Sequence, residues 1–440
     1  MAAVCCLSLA VAMSAFAQSD EPYEGPTILT RDSNTAGQHG GQLLDFRLWG
    51  DITGVMDDGL TAPTLTSSGE VNTQGPLYGG EAGFGASGTR TWEFDQISLD
   101  YKGSWRQYTV NNLFNGTSQF LDLEWQHRLA RHLQLIVHET GGISSLSFGT
   151  MSYYPLANSA LLGVPLNELF DNTAYFSQST LELVWQKTAR LSFGFGGDDF
   201  MVDRKSPLLV NSSGYRGRAD AAYRLSARQT ASLSYAYEYF EYPRAYGYSR
   251  INQLEAGWAV GLGPRTEFAV AGGAAQTDTL GLVEVQLDPV IAAILGESYT
   301  ITTSKRDVII PVGEARWTRR FATSAIGLNA AMSVTPGNGV YLTSRGMNGA
   351  VTYSYAGSRR LTFATTAGYS RMTAAGQQTI APYGGFYGGA GATWRLFTDA
   401  HMEARYDYRR YNIRDVASKN ENRVSLGLAI STGERPLAIW

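Results

Sequence analysis

What most constrains this chain is a period-two alternation that recurs along most of its length. In Tyr215–Leu225 one face reads Tyr215, Gly217, Ala219, Ala221, Tyr223 and Leu225; the other reads Arg216, Arg218, Asp220, Ala222 and Arg224. Successive strand residues point to opposite sides, so every charge of the stretch falls on one face. The next stretch sets Ala231, Leu233, Tyr235, Tyr237 and Tyr239 against Thr230, Ser232, Ser234 and Glu238. Toward the C-terminus His401, Glu403, Arg405, Asp407 and Arg409 alternate with Met402, Ala404, Tyr406 and Tyr408. Helical spacing would mix these faces. The pattern fits strands with lipid on one side and water on the other.

Composition agrees. Charged residues are 17% of the chain, against about a quarter in soluble proteins, while Gly numbers 49 and Tyr 25. No apolar run reaches the roughly 18 residues of a spanning helix. A net charge of -4 gives no basic surface, so nucleic acid is not an implied partner.

Tight turns fall at Ala130-Arg131, Lys187-Thr188, Ser226-Ala227, Gly263-Pro264, Phe321-Ala322, Ser358-Arg359 and Thr398-Asp399. Longer connections lie between them, notably about 143–172 and 276–306. Short turns on one side and long loops on the other follow the outer-membrane convention, with the short side periplasmic. A soluble sandwich has no reason to sort its loops this way. These hairpins, with strands at about 92–102 and 423–431, give about sixteen strands. Leu43–Met56 and Tyr78–Ala86, the latter turning at Gly88-Thr89-Arg90, raise the preferred count to about eighteen, unless that first pair forms a plug. The expected fold is all-β: a transmembrane antiparallel up-and-down barrel of about 16–18 strands, with short periplasmic turns and longer extracellular loops.

Leu7 to Phe16 is apolar, and Ala15-Phe16-Ala17 resembles a small-x-small cleavage site. Residues 1–17 therefore read as a signal peptide, although one without the usual basic start. Residues 18–42 read as a polar periplasmic tail and 43–440 as the barrel. Cys5 and Cys6 lie in the leader, so the mature chain would hold no disulfide, cysteine metal site or thiol nucleophile.

An acid–x–x–Trp element recurs at the ends of descending strands: Asp122-Leu123-Glu124-Trp125, Glu182 to Trp185, Glu255 to Trp258 and Glu314-Ala315-Arg316-Trp317. A further copy ending in Trp394 lacks the acid. Three residues is an odd step, so acid and Trp face opposite ways. Trp125, Trp185, Trp258, Trp317 and Trp394 would form an interfacial belt, where an indole is apolar yet keeps its N–H wet. Asp122, Glu124, Glu182, Glu255, Glu314 and Arg316 would face the lumen. The ascending strands would begin with the lumen-facing bases His132, Arg190, Arg265, Arg360 and His401. Arg216, Arg218, Asp220, Arg224, Glu403, Arg405, Asp407 and Arg409 would face the lumen too. Over all the strands the assignment gives roughly a dozen lumen charges of each sign, a balance that argues against strong ion selectivity. The mouth is either an electrostatic filter or a solvated, salt-bridged wall.

Catalysis finds little support. His132 and His138 are roughly 20 Å apart on one strand, too far to share a metal. His138-Glu139 lacks zinc-helix spacing, and no Gly-x-Ser-x-Gly elbow occurs. No cofactor is implied. The connections at 143–172 and 276–306 are apolar for exposed loops, so they either fold into the lumen, pack over the rim or extend the strands.

The lead-in Tyr23-Glu24-Gly25-Pro26-Thr27-Ile28-Leu29-Thr30-Arg31, the element Asn112-Leu113-Phe114-Asn115-Gly116-Thr117 and the ending Pro436-Leu437-Ala438-Ile439-Trp440 resemble uncharacterised porin-like outer-membrane β-barrel proteins of Gram-negative soil bacteria. The resemblance implies a barrel in the outer membrane, among its lipids; it brings no substrate and no site residues. Trp440 is similar to the terminal aromatic that marks such proteins for the barrel-assembly machinery, although Gly433 and Pro436 interrupt the final alternation. The leading expectation is a porin-like channel for passive diffusion of small hydrophilic solutes, with a homotrimer left open. A plugged structural or export-associated barrel and an outer-membrane hydrolase are the alternatives.

Overall fold

The structure, a computed structural model, describes residues 45–59, 64–65, 71–72, 75–109, 115–145, 173–207, 209–243, 245–286, 299–337, 339, 342–356, 358, 360–375, 382–397, 399–413 and 417–431. Their strands, in chain order, are β1 (Asp45–Asp58), β2 (Thr64–Leu65), β3 (Val71–Asn72), β4 (Leu77–Thr91), β5 (Asp95–Tyr108), β6 (Gly116–Ala130), β7 (Leu133–Ser145), β8 (Thr173–Gln186), β9 (Leu191–Arg204) and β10 (Ser212–Ser226). The series continues with β11 (Gln229–Glu241), β12 (Tyr248–Gly263), β13 (Thr266–Gln286), β14 (Tyr299–Arg320), β15 (Ser324–Gly337), β16 (Leu342–Tyr355), β17 (Leu361–Ala374), β18 (Tyr383–Arg395), β19 (Ala400–Ile413) and β20 (Ala417–Ser431). Apart from the small β2–β3 pair, they form one 18-stranded antiparallel barrel. β1 pairs with both β4 and β20, which closes the ring. Every other barrel pairing joins chain neighbours, so each costs little loop-closure entropy.

Contacts that cross the ring identify the inner face. Arg204 donates from Nη1 to the Val210 carbonyl at 2.7 Å and from Nη2 to the Gly337 carbonyl at 3.5 Å. β9 and β15 are far apart around the wall, so only the interior allows that reach. Register carries the assignment from Val202, on the same face as Arg204, to Phe176, Gly142, Phe120 and Lys102, and onward round the ring. The opposite face exposes Ile52, Phe84, Leu181, Leu233, Leu254, Leu426 and Ile430. It is the apolar side.

The interior also holds an apolar cluster that includes Phe120, Phe176, Phe200, Phe240, Ile310 and Val312. Inward glycines make room for it. Gly142 lies in register between Phe120 and Phe176, whose rings are 6.2 Å apart. Gly214 sits likewise between Phe200 and Phe240, at 5.6 Å. A Cβ at Gly142 would strike the Gln119 carbonyl oxygen, and one at Gly214 that of Tyr239.

At the end opposite the tight turns, the β15–β16 tip folds across the interior. The Gly339 carbonyl accepts from Val210 N–H at 2.9 Å. The Tyr242 hydroxyl contacts Thr343 Oγ1 at 2.7 Å, and Thr343 also meets inner-face Ser249. β13 and β14 are the longest strands, at 21 and 22 residues, and extend past their neighbours.

The preferred eighteen strands are present, and the first pair stands in the wall as β1 and β4, not in a plug. The turn expected at Gly88-Thr89-Arg90 lies instead at Trp92–Phe94, where Trp92 N–H reaches the Asp95 carbonyl at 2.7 Å. Gly88 stays within β4 because the ladder continues around it, with Thr89 and Ser98 hydroxyls paired at 3.1 Å. Much of 276–306 extends β13 and β14, its β-branched Thr277, Thr279, Thr300, Ile301, Thr302 and Thr303 suiting a strand. The proposed leader and tail, Trp440, and the segments 146–172 and 287–298 lie outside the described residues.

Candidate channel lumen

The inner wall is built from charges held against partners or against glycine. Arg218 on β10 reaches over β9 to Glu182 on β8, Nη2 to Oε2 2.8 Å. Gly196 lies between them in register; a Cβ there would sit 3.0 Å from Arg218 Nε. Arg216 bonds Asp198 at 2.8 Å and approaches Glu238 at 3.7 Å, both directly across the ladder. Asp220 lies against Gly194, whose Cβ would fall 2.6 Å from its Oδ1. Arg405 Nη2 donates to Asp407 Oδ1 at 2.6 Å, with Gly389 opposite Asp407. Such paired charges keep a wall wet without giving it a dominant sign.

His138 is buried and meets Asp122 at 3.0 Å and Thr140 at 3.3 Å, both through Nε2. A relay from acid through imidazole to nucleophile needs both ring nitrogens, so this trio is not a triad. Buried Glu124 accepts from Gln126 at 2.7 Å. His401 is buried on the inner face. Glu255, Glu314, Arg316, Arg224, Glu403 and Arg409 occupy inner-face positions and are half-buried. Arg190 and Arg265 stand apart: both are exposed in turns, because the chain reverses there before β9 and β13 begin. His132 and Arg360 are exposed in turns too.

The five tryptophans lie on the outer face, all toward the tight-turn end. Trp125 Nε1 donates to Asp95 at 2.9 Å, and His127 meets the same carboxylate at 2.8 Å. Trp92, Phe94, Phe321 and Phe397 in the nearby turns are exposed as well.

One inner cluster was not anticipated from the sequence. Arg423 on β20 bonds Glu81 on β4 at 2.6 Å across β1 and lies 3.8 Å from Asp57. Tyr108 donates to Asp57, and Arg106 stands opposite Glu81. Ring closure assembles these residues from both ends of the chain; pairing the first strand with the last was the signal that could have found them. The second is the rim contact of Tyr242, outside the strands, whose hydroxyl burial pushes up to about 12. Among the described residues, no group of three or more His, Cys, Asp or Glu could hold a metal.

No protein-family profile matches the sequence, and no curated protein does. Among solved structures, the chain is similar to Pseudomonas aeruginosa OccK3 (OpdO), at 11% identity over 88% of this chain and 96% of that one, TM-score 0.42. It is similar to a BenF-like porin from Pseudomonas fluorescens Pf-5, at 11% identity over 88% and 98%, TM-score 0.41. It is also similar to Acinetobacter baumannii OccAB4, at 10% identity over 90% and 100%, TM-score 0.40.

Proposed function

We propose that the chain is an outer-membrane channel for passive diffusion of small hydrophilic solutes, its tight turns periplasmic. The observation that carries this reading is the inversion of faces: apolar side chains outside, and paired Arg, Asp and Glu inside a closed ring. Barrel width grows with strand number; about eight strands leave room only for side chains, whereas sixteen to eighteen leave an aqueous channel. The exposed outer tryptophans suit a membrane interface. Because wall charges neutralise one another, as in Arg218–Glu182 and Arg216–Asp198, weak ion selectivity is expected. The test is single-channel recording in planar bilayers. Discrete steps with a reversal potential near zero in a salt gradient support the reading; a purified, folded barrel giving no steps defeats it.

A second reading, a plugged barrel with a structural or export-associated role, is favoured by the inward β15–β16 tip. Liposome swelling with sugars of increasing size separates the two. Uptake of a small sugar supports the channel, and a folded barrel that gives neither ion steps nor sugar uptake supports the plug.

A further inference from the structure

We infer that Pro311 and Pro336 split the barrel wall and so keep the β15–β16 tip inside it as a resident constriction, an inference that rests on the channel reading above. β14 and β15 pair from Arg320–Ala325 to Gly313–Met332 and then part. Neither strand ends there: β14 continues along β13 to Tyr299, and β15 continues along β16 to Gly337.

Backbone hydrogen bonds locate the cause. Phe321 N–H donates to the Ser324 carbonyl at 2.7 Å, on the β15 side. Arg320 N–H donates to the Arg265 carbonyl at 2.8 Å, on the β13 side. Backbone groups of consecutive strand residues point to opposite edges. Odd-numbered residues of β14 and even-numbered residues of β15 therefore bond each other. Continuing their register would set Pro311 opposite Val334, and Ile309 opposite Pro336. Both prolines thus sit on the facing edges, and neither has an N–H to give. Two successive bonded pairs would each lack a donor. Toward β13, Pro311 lies opposite Ala274 in a pair that does not use its N–H, so that ladder is undisturbed.

The released tip finds its partners inside. Val334 follows Met332 on the face that points outward lower in the wall, yet it joins Ile310 and Val312 from the inner face of β14. The tip's outer side therefore lies against the inner side of the neighbouring wall. Thr343 is held by Tyr242 and Ser249, and the Gly337 carbonyl by Arg204. Gly337 and Gly339 take φ of 80° and 91°, which a side chain would strain, so the tip is shaped for this position.

Restoring the donors tests the inference. The full-length Pro311→Val/Pro336→Val chain should zip β15 back onto β14 and draw the tip out of the lumen, raising single-channel conductance about twofold or more. A separate readout avoids conductance. Ser249→Cys with Thr343→Cys places thiols where the two hydroxyls now touch. Their disulfide, scored by non-reducing peptide mass analysis, should form with both prolines present and be lost when both are replaced. Equal disulfide yields in the two backgrounds would overturn the inference. So would lost disulfide with unchanged conductance, since the tip would then not constrict. If the unaltered chain forms no channel, the channel reading falls, and the crosslink still decides whether the prolines set the tip.

Discussion

Replacing Glu182 by Gln should strand Arg218 on the inner wall. Their 2.8 Å bond joins side chains only 8% and 7% exposed. At an effective dielectric near 20, two charges about 4 Å apart attract by about 4 kcal/mol. Desolvation offsets much of that, but the cost has already been met in the folded barrel, so removing one partner leaves a buried charge uncompensated. Lumen water relieves part of the loss, which brings the expected cost of Glu182→Gln, or of Arg218→Met, to about 2–3 kcal/mol. The double variant should cost clearly less than the two together, with a coupling of about 2 kcal/mol. Reversible urea unfolding in lipid vesicles, followed by tryptophan fluorescence, measures all four corners of the cycle. A coupling below about 0.5 kcal/mol would refute the reasoning and leave the pair as a solvated surface contact. The same Glu182→Gln channel should gain anion preference, seen as a displaced reversal potential.

Gly273→Ala drives a Cβ into the Leu254 carbonyl and should destabilise the barrel by about 2 kcal/mol or more; Gly217→Ala, with open space around it, should be within about 0.5 kcal/mol of neutral in the same unfolding assay. Leu254→Arg on the outer face should cost about 2–4 kcal/mol of membrane stability, and Gln253→Arg beside it on the inner face far less. Because Tyr242 ionises near 12 when folded, above its ordinary 10, its neutral hydroxyl contributes stability that is complete below pH 10 and is lost as pH rises through about 12. The Tyr242→Phe chain should lose that alkaline step in pH-dependent unfolding.

Legibility followed the range of the interaction. A strand's faces are decided by its own residues, so Arg216, Arg218 and Asp220 could be assigned to one side before any partner was known. The same holds for Trp125 and Trp185, an odd step from their acids. Partners were harder. That Arg218 serves Glu182, two strands away, depends on Gly196 on the strand between them, and no period in the sequence links the three. Arg423, Asp57 and Glu81 meet only through closure of β20 on β1. Gly88 misled because glycine is a turn signal locally, whereas the ladders on both sides of β4 hold it extended. Pro311 and Pro336 were visible all along as prolines within β-patterned stretches. Their meaning needed the direction of each missing N–H, which register alone supplies.

Glycine unites these features. A barrel this large needs charges on its inner face to stay wet, yet long charged side chains would crowd the lumen if each stood upright from the wall. Gly196 under Arg218, Gly194 beside Asp220 and Gly389 beside Asp407 let those side chains lie flat along the sheet. Gly214 does the same for the Phe200 ring. Each weakens its own strand by roughly 0.5–1 kcal/mol relative to alanine, so the abundance of glycine in this sequence is hard to explain by strand stability. At Gly194, Gly196, Gly214 and Gly389 clearance accounts for it. If so, enlarging a niche glycine beside a wall charge should narrow the channel even where it leaves stability nearly intact. Gly194→Ala, which pushes the Asp220 carboxylate off the wall, should lower conductance while Gly217→Ala on the outer face leaves it unchanged. Equal conductance in the two variants would show that the inner glycines serve packing alone.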